Sequence, residues 1–147
     1  KVTGFSTFMT GELFEAIAKN TILSHAIAEA GPVAGDNAAF RAAVTRMVAN
    51  PALATSQIFS VRAGSLIAGL SPVDAKARLS GTLIGLEIAG ALSLVAEGTP
   101  VALVVSGGLG ALYKDALAAA GISPSVIDAD AAVRTGLAAG ARALWSL

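Results

Sequence analysis

The chain has 147 residues, with ten Lys or Arg against ten Asp or Glu, one His and no Cys. That length supports one domain, 1–147, with a sizeable core. Zero formal net charge gives no pull toward nucleic acid or an anionic membrane surface, the lack of Cys excludes disulfides and thiolate chemistry, and a lone His leaves no His-based zinc site.

The chain opens on Lys1-Val-Thr-Gly, without Met or a signal-peptide pattern, and so reads as a piece of a longer chain. Val2 to Phe8 alternates loosely and is rich in Thr and Phe, which predicts a strand, one half of a hairpin whose partner precedes Lys1. Thr10 is an N-cap candidate with Glu12 in the first turn. Leu13, Phe14, Ile17 and Ala18 make the buried face of a helix running to about Ala30, stopped by Gly31-Pro32. His25 falls on that helix with no companion that would make it catalytic.

Asp36 is the predicted cap of a second helix, with Phe40, Val44, Met47 and Val48 on one face and Asn50-Pro51 as its stop. Arg41 and Arg46 lie off that face, toward solvent. A third helix is expected from about Ala52 to Ala68, carrying Ile58, Phe59, Val61 and Arg62. Ser71-Pro72-Val73-Asp74 is a helix start: Ser as N-cap, Pro in the first turn, Asp third. That helix should continue, with or without a kink at Ser80-Gly81, to Glu97-Gly98. Gly81, Gly85 and Ala89 form a stripe of small side chains at a spacing of four, against which another helix can pack closely.

With 54% hydrophobic residues, a membrane span has to be weighed. Leu79 to Ala96 is long enough. Glu87 at its centre, the interrupting glycines, and Lys76 and Arg78 at only one end argue against it, since a mid-bilayer charge costs about 2.5–3.5 kcal/mol on the insertion scale. A helix apolar on all sides also fits the buried centre of an α/β domain. Glu87 should then find a hydrogen-bond donor, an amide, a hydroxyl or an Arg.

After Pro100, Val101-Ala-Leu-Val-Val-Ser-Gly-Gly-Leu-Gly110 reads as strand, glycine turn and helix. Leu109, Leu112, Tyr113, Ala116, Leu117 and Ala120 make one helical face, and Gly121 is the expected C-cap. Such a turn lets a ligand approach bare backbone and aims free N–H groups at an anion. Pro124 to Asp128 is a further strand, and Asp130 is expected to cap a last helix with Val133, Leu137, Ala141 and Leu144 on one face. Gly136 and Gly140 lie on another face, again four apart, while Arg134 and Arg142 argue against a membrane dimer motif. Two strands each leading into a helix suggest an α/β layer with parallel pairing.

Gly108-Leu-Gly110 supplies two glycines of a dinucleotide fingerprint, with Asp128 or Asp130 as the ribose acid, but Tyr113 occupies the third glycine position. No Gly-Lys-Ser/Thr follows the turn, so a Walker loop is excluded.

Three stretches together carry a more specific resemblance: Phe8-Met-Thr-Gly-Glu-Leu-Phe14, Leu79-Ser-Gly-Thr-Leu-Ile-Gly85 with Glu87, and Ser106-Gly107-Gly108 with Leu112-Tyr113. Over essentially its whole length the chain resembles the C-terminal half of the 2-dehydro-3-deoxygalactonokinase family, of the sugar kinase, heat-shock protein 70 and actin superfamily. The resemblance implies a ribonuclease H-like (actin-like ATPase) domain, helix-rich with a small mixed sheet, in a cytoplasmic two-domain kinase with ATP in the cleft between the halves. Ser106, Gly107, Gly108, Leu109 and Tyr113 would lie at the adenosine, with Arg62 flanking the adenine. Thr10, Gly11 and Glu12 would face the cleft, and Gly136 and Gly140 would pack at the hinge.

The partners implied are ATP with Mg²⁺, a small sugar acid and the N-terminal half of the same polypeptide, with a homodimer also compatible. The general base and phosphate-binding hairpins would precede Lys1, leaving no catalytic residue or metal ligand in this segment. The expected reaction is phosphorylation of 2-dehydro-3-deoxy-D-galactonate at its terminal hydroxyl. The alternatives are another small-sugar kinase, an NAD-dependent oxidoreductase built on Gly108, Gly110 and Asp128, and a helical interaction domain.

Overall fold

In the computed structural model, which describes residues 2–145, one helix meets every other helix of the chain except the last. The elements in order are α1 (Thr10–Asn20), α2 (Ser24–Ile27), α3 (Ala38–Ala49), a 3-10 turn (Pro51–Leu53), α4 (Ala54–Ile67), α5 (Pro72–Leu92), β1 (Ala102–Val105), α6 (Gly107–Ala119), β2 (Ser125–Asp128) and α7 (Ala129–Trp145). The central one is α5. Ser71 caps it as expected, its hydroxyl accepting from the Asp74 amide at 3.1 Å and donating to the Asp74 carboxylate at 2.8 Å. It ends at Leu92, short of Glu97-Gly98. No helix among the described residues is long and apolar enough to cross a membrane.

Two apolar clusters share α5. On one side Leu23, Ile27 and Val61 close over Ala75, Leu79 and Leu83, with Leu13, Phe14 and Ile17 of α1 packed around them. On the other, Phe40 and Val44 of α3 meet Ala77, Ile84 and Ile88, and Ala116 and Leu117 of α6 complete the cluster. Full burial of side chains such as Phe40, Val44 and Met47 contributes about 1.5–3 kcal/mol each. The small-residue stripe does what its spacing implies. A Cβ at Gly81 would collide with the Phe40 carbonyl oxygen, and one at Gly85 would come within 2.9 Å of Val44 and Met47. The α3 and α5 backbones therefore pass in direct contact.

Several expectations are corrected. Residues 2–9 form no strand, because no partner strand is present among the described residues to pair with them. Thr10 is the first residue of α1 rather than its cap; Met9 holds the cap position and gives no side-chain bond. The first helix stops at Asn20 instead of reaching Ala30. Thr21 is extended, its hydroxyl bonds back to the Ile17 carbonyl at 2.8 Å, and that oxygen also accepts from the Leu23 amide. The cap of α3 is Asn37, not Asp36: Asn37 Oδ1 accepts from the amides of Ala39 and Phe40, while its amide nitrogen donates to Asp74 at 2.9 Å. This ties the starts of α3 and α5 together.

The sheet has two strands, β1 and β2, and is parallel rather than mixed, with Ala102 opposite Ser125 and Val105 opposite Asp128. Helix α6 makes the crossover; its C-cap is Ala120, and the expected cap residue Gly121 stands one position beyond it, at φ 78°. Helix α7 buries none of its residues; it meets the strands β1 and β2, and Val133, Leu137 and Leu144 of the expected apolar face are exposed among the described residues. Its start is capped by Asp128, whose Oδ1 accepts from the Ala131 amide at 2.7 Å, with Asp130 in the first turn instead of at the cap.

Candidate functional site

A cleft of about 430 Å³ opens between the start of α1, the loop at Pro32-Val33, one face of α5 and the start of α6. Its size falls in the ordinary range of small-molecule sites. Apolar side chains form most of the wall: Phe14, Pro32, Val33, Leu83, Ile84, Leu109 and Leu112. Polar groups enter from α5, which contributes Lys76 and Ser80, and from Thr10 and Tyr113.

The glycine turn stands at the cleft's edge. Ser106 is extended, at φ −137° and ψ 157°, and makes no side-chain bond to the helix it precedes. Gly107 follows at φ 64°, a backbone angle that L side chains rarely adopt. The chain then enters a 13-residue helix whose first amides have no side-chain cap. An ideal Cβ at Gly107 or Gly108 meets nothing within 4 Å, so open space lies over both glycines. Gly110 differs. A Cβ there would come to 2.7 Å from Val105, so this glycine serves contact between α6 and β1.

That distinction bears on the dinucleotide alternative. Gly110 is occupied with packing, and the Asp128 carboxylate caps α7, so two of the three residues of that fingerprint are already engaged within the fold. The turn at Ser106-Gly107-Gly108 is what remains available to a ligand, and its open space and uncapped amides fit a nucleotide.

Tyr113 links the cleft to Glu87. The phenol donates to Glu87 Oε2 at 2.7 Å, supplying the hydroxyl partner expected for that carboxylate. Burial first, and then the Glu87 carboxylate, push the Tyr113 hydroxyl well above its ordinary range. The phenol therefore stays protonated and the bond persists across physiological pH. Since Glu87 lies on α5 and Tyr113 on α6, the bond also fixes the helix that begins with the glycine turn.

Of the residues singled out from sequence, Thr10, Gly11, Gly108, Leu109 and Tyr113 line the cleft, with Ser106 and Gly107 immediately adjoining in the chain. Glu12 and Arg62 do not line it; Arg62 sits half-buried on α4. Gly136 and Gly140 lie exposed on α7, with nothing within 4 Å of an added Cβ. His25 is exposed on α2. No three His, Asp or Glu side chains converge as a metal site among the described residues. Lys76 and Ser80 were not singled out as site residues. Their spacing of four on a helix put them on one face, but only the fold turns that face toward the glycines.

Helical α/β architecture with an open glycine turn between a short strand and a helix, beside a largely apolar cleft, defines an α/β domain with a candidate small-ligand site. The comparisons make this specific. The family model of 2-keto-3-deoxy-galactonokinase matches residues 1–139. The chain belongs to that family. It is 60% identical over all 147 residues to a Rhizobium meliloti (strain 1021) protein named a probable 2-dehydro-3-deoxygalactonokinase, covering 48% of that protein. It is 32% identical over 139 residues to the 2-dehydro-3-deoxygalactonokinase of Escherichia coli (strain K12), covering 93% of this chain and 46% of that one. A crystal structure of a Sinorhizobium meliloti protein assigned the same enzyme name superposes with a TM-score of 0.94 at 60% identity, over 98% of this chain and 48% of the other. The chain thus spans about half the length of the relatives it matches.

Proposed function

We propose that this chain is the nucleotide-binding half of a cytoplasmic enzyme that uses ATP to phosphorylate 2-dehydro-3-deoxy-D-galactonate at its terminal hydroxyl. One observation carries the reading: a glycine turn with open space over both glycines stands at the mouth of a largely apolar cleft, in a member of the 2-keto-3-deoxy-galactonokinase family. Family membership supports the ribonuclease H-like fold as part of the proposal.

In this reading the adenosine lies in the cleft against Gly107, Gly108 and Tyr113, and Ser106 and Leu109 flank it. The uncapped amides at the start of α6 face the negative charge of the nucleotide. The Glu87–Tyr113 bond holds that helix against α5, so that the turn does not drift as the nucleotide enters and leaves. Bound Mg²⁺ would neutralise phosphate charge during transfer. The general base that accepts the proton of the sugar-acid hydroxyl is assigned to the other half of the full-length protein. Gly136 and Gly140 are assigned to contact with that half, Thr10, Gly11 and Glu12 to the side of α1 facing it, and Arg62 to a flanking position on the nucleotide side.

Calorimetric titration of the full-length protein tests this directly. Binding of ATP with Mg²⁺, no response to NAD or NADP, and phosphate transfer to 2-dehydro-3-deoxy-D-galactonate are expected. Binding of a dinucleotide without binding of ATP would overturn the proposal.

A further inference from the structure

Ser80 is 92% buried by its 8% exposure, lines the cleft, and its hydroxyl bonds no other group among the described residues. No fully enclosed side-chain polar atom there lacks a partner, so the Ser80 oxygen opens onto the cleft. A mostly buried hydroxyl with no protein partner and an oxygen that reaches the cleft is free to hydrogen-bond a ligand there. One turn earlier on the same face stands Lys76. Its ammonium donates to the carbonyls of Gly31 at 2.9 Å and Ala30 at 3.2 Å. Those two bonds hold the head in place and leave one of its three N–H donors free.

The cleft therefore carries a fixed cationic donor and a hydroxyl from one face of α5, their Cβ atoms about 5–6 Å apart, among apolar walls formed by Phe14, Val33 and Leu112. A flat heterocycle with acceptors on one edge matches that arrangement. Its faces meet apolar side chains, and its ring nitrogens meet donors. A carboxylate or phosphate would gain from Lys76 but nothing from the apolar remainder. Resting on the kinase reading above, we propose that Lys76 and Ser80 hold the purine base of the nucleotide, Lys76 donating to a ring nitrogen and Ser80 hydrogen-bonding the neighbouring edge. The glycine turn then takes the ribose and phosphates, and α5 supplies base recognition.

The test uses the full-length protein with three calorimetric probes, ADP, inorganic tripolyphosphate and the sugar acid, on the wild type, Ser80→Ala and Lys76→Met. Ser80→Ala removes no bond within the chain, so its fold should be intact, and thermal melting checks this. ADP affinity should fall about tenfold in each variant, while tripolyphosphate and sugar-acid affinities stay at wild-type values. Lys76→Met also loses the ties to Ala30 and Gly31; if it fails to fold, Ser80→Ala decides alone. Equal loss of tripolyphosphate affinity would place Lys76 on the phosphates and overturn the assignment. Loss confined to the sugar acid would make the cleft its pocket and overturn it too, as would a folded Ser80→Ala with unchanged ADP affinity. A wild-type protein that binds no ADP would refute the kinase reading itself, a separate outcome.

Discussion

Two helices of this chain carry the same pattern, a pair of glycines four residues apart, and meet opposite surroundings. In α5, Gly81 and Gly85 are pressed against the α3 backbone so closely that neither tolerates a Cβ without movement. In α7, Gly136 and Gly140 have nothing within 4 Å, and the helix buries no residue at all. Every residue of β2 beside it is exposed. One pattern thus records a neighbour the chain contains. The other leaves a bare face with apolar residues such as Leu137, 70% exposed, and Leu144, 77% exposed. The relatives are about twice as long as this chain. The closed region is the half of the design that these residues complete alone, and the bare face is where the proposal places the rest of the longer protein.

The sharpest attack on that comparison is Gly81→Ala. Ala gains roughly 0.5–1 kcal/mol over Gly in a helix, but here its Cβ collides with the Phe40 carbonyl oxygen and crowds Ala43 at 3.1 Å. The helices must separate, at an overpacking cost of about 3 kcal/mol, so denaturant unfolding should show a large net loss. Unchanged stability would mean that α3 and α5 are not in backbone contact.

The next largest effect concerns the glycine turn, open like α7 but in the service of a ligand. Gly108 is not held at positive φ, and a Cβ there meets nothing within 4 Å. Gly108→Val should leave melting temperature almost unchanged and weaken ATP binding in the full-length protein by about tenfold or more, roughly 1.4 kcal/mol. Gly107→Ala behaves differently. At φ 64° it should cost about 1–2 kcal/mol of stability before any ligand is added. A folded Gly108→Val protein with normal ATP affinity would show that the open turn is structural.

What the sequence made legible follows from the range of the forces involved. Ser71 and Asp74 cap α5 through bonds three residues apart, so their pattern is readable locally. Gly81 and Gly85 announced a close neighbour through spacing alone, and Gly107 a turn through the strand before it. The α3 cap moved from Asp36 to Asn37 because both types accept from amides and only the tertiary bond to Asp74 chooses between them. The break at Thr21 was hidden, since a hydroxyl bonding back along the helix competes with the backbone in a way composition does not reveal. Lys76 was unreadable as a site residue for a plainer reason. The carbonyls that fix it lie 46 and 45 residues away in sequence. The supposed strand at Val2–Phe8 shows the same limit, because a strand exists only when something pairs with it.

On the closed side, Asn37 is the pin between the starts of α3 and α5, and removing it should have a moderate effect. Asn37→Ala deletes the cap of α3 and the bond to Asp74, for a loss of about 1 kcal/mol at neutral pH. The Asn37 bond, followed by the Ser71 bond, holds the Asp74 carboxyl below its ordinary pKa. The unfolded chain therefore binds that proton more readily, and the stability the carboxylate contributes is present at neutral pH and lost as pH falls through the carboxylate range. Asn37→Ala removes the larger cause, so the variant should lose less on acidification than the wild type. Parallel acid titration curves for the two proteins, followed by circular dichroism, would show that Asp74 does not depend on this pin.

The smallest effect is the most direct reading of the bare face, and it uses the same substitution as the largest. Gly136→Ala in this chain adds a Cβ that meets nothing, and α7 gains the helix preference of Ala over Gly. The chain by itself should become more stable by about 0.5–1 kcal/mol where Gly81→Ala makes it less so. In the full-length protein the sign should reverse, because a segment packed against Gly136 would meet the new methyl group as α3 meets one at Gly81. Paired melting experiments on the two lengths therefore report whether α7 is covered, with no need to see the covering segment. Stabilisation of equal size in both lengths would mean that the glycines of α7 never have a neighbour, and that the face bearing Leu137 is bare in the whole protein as well.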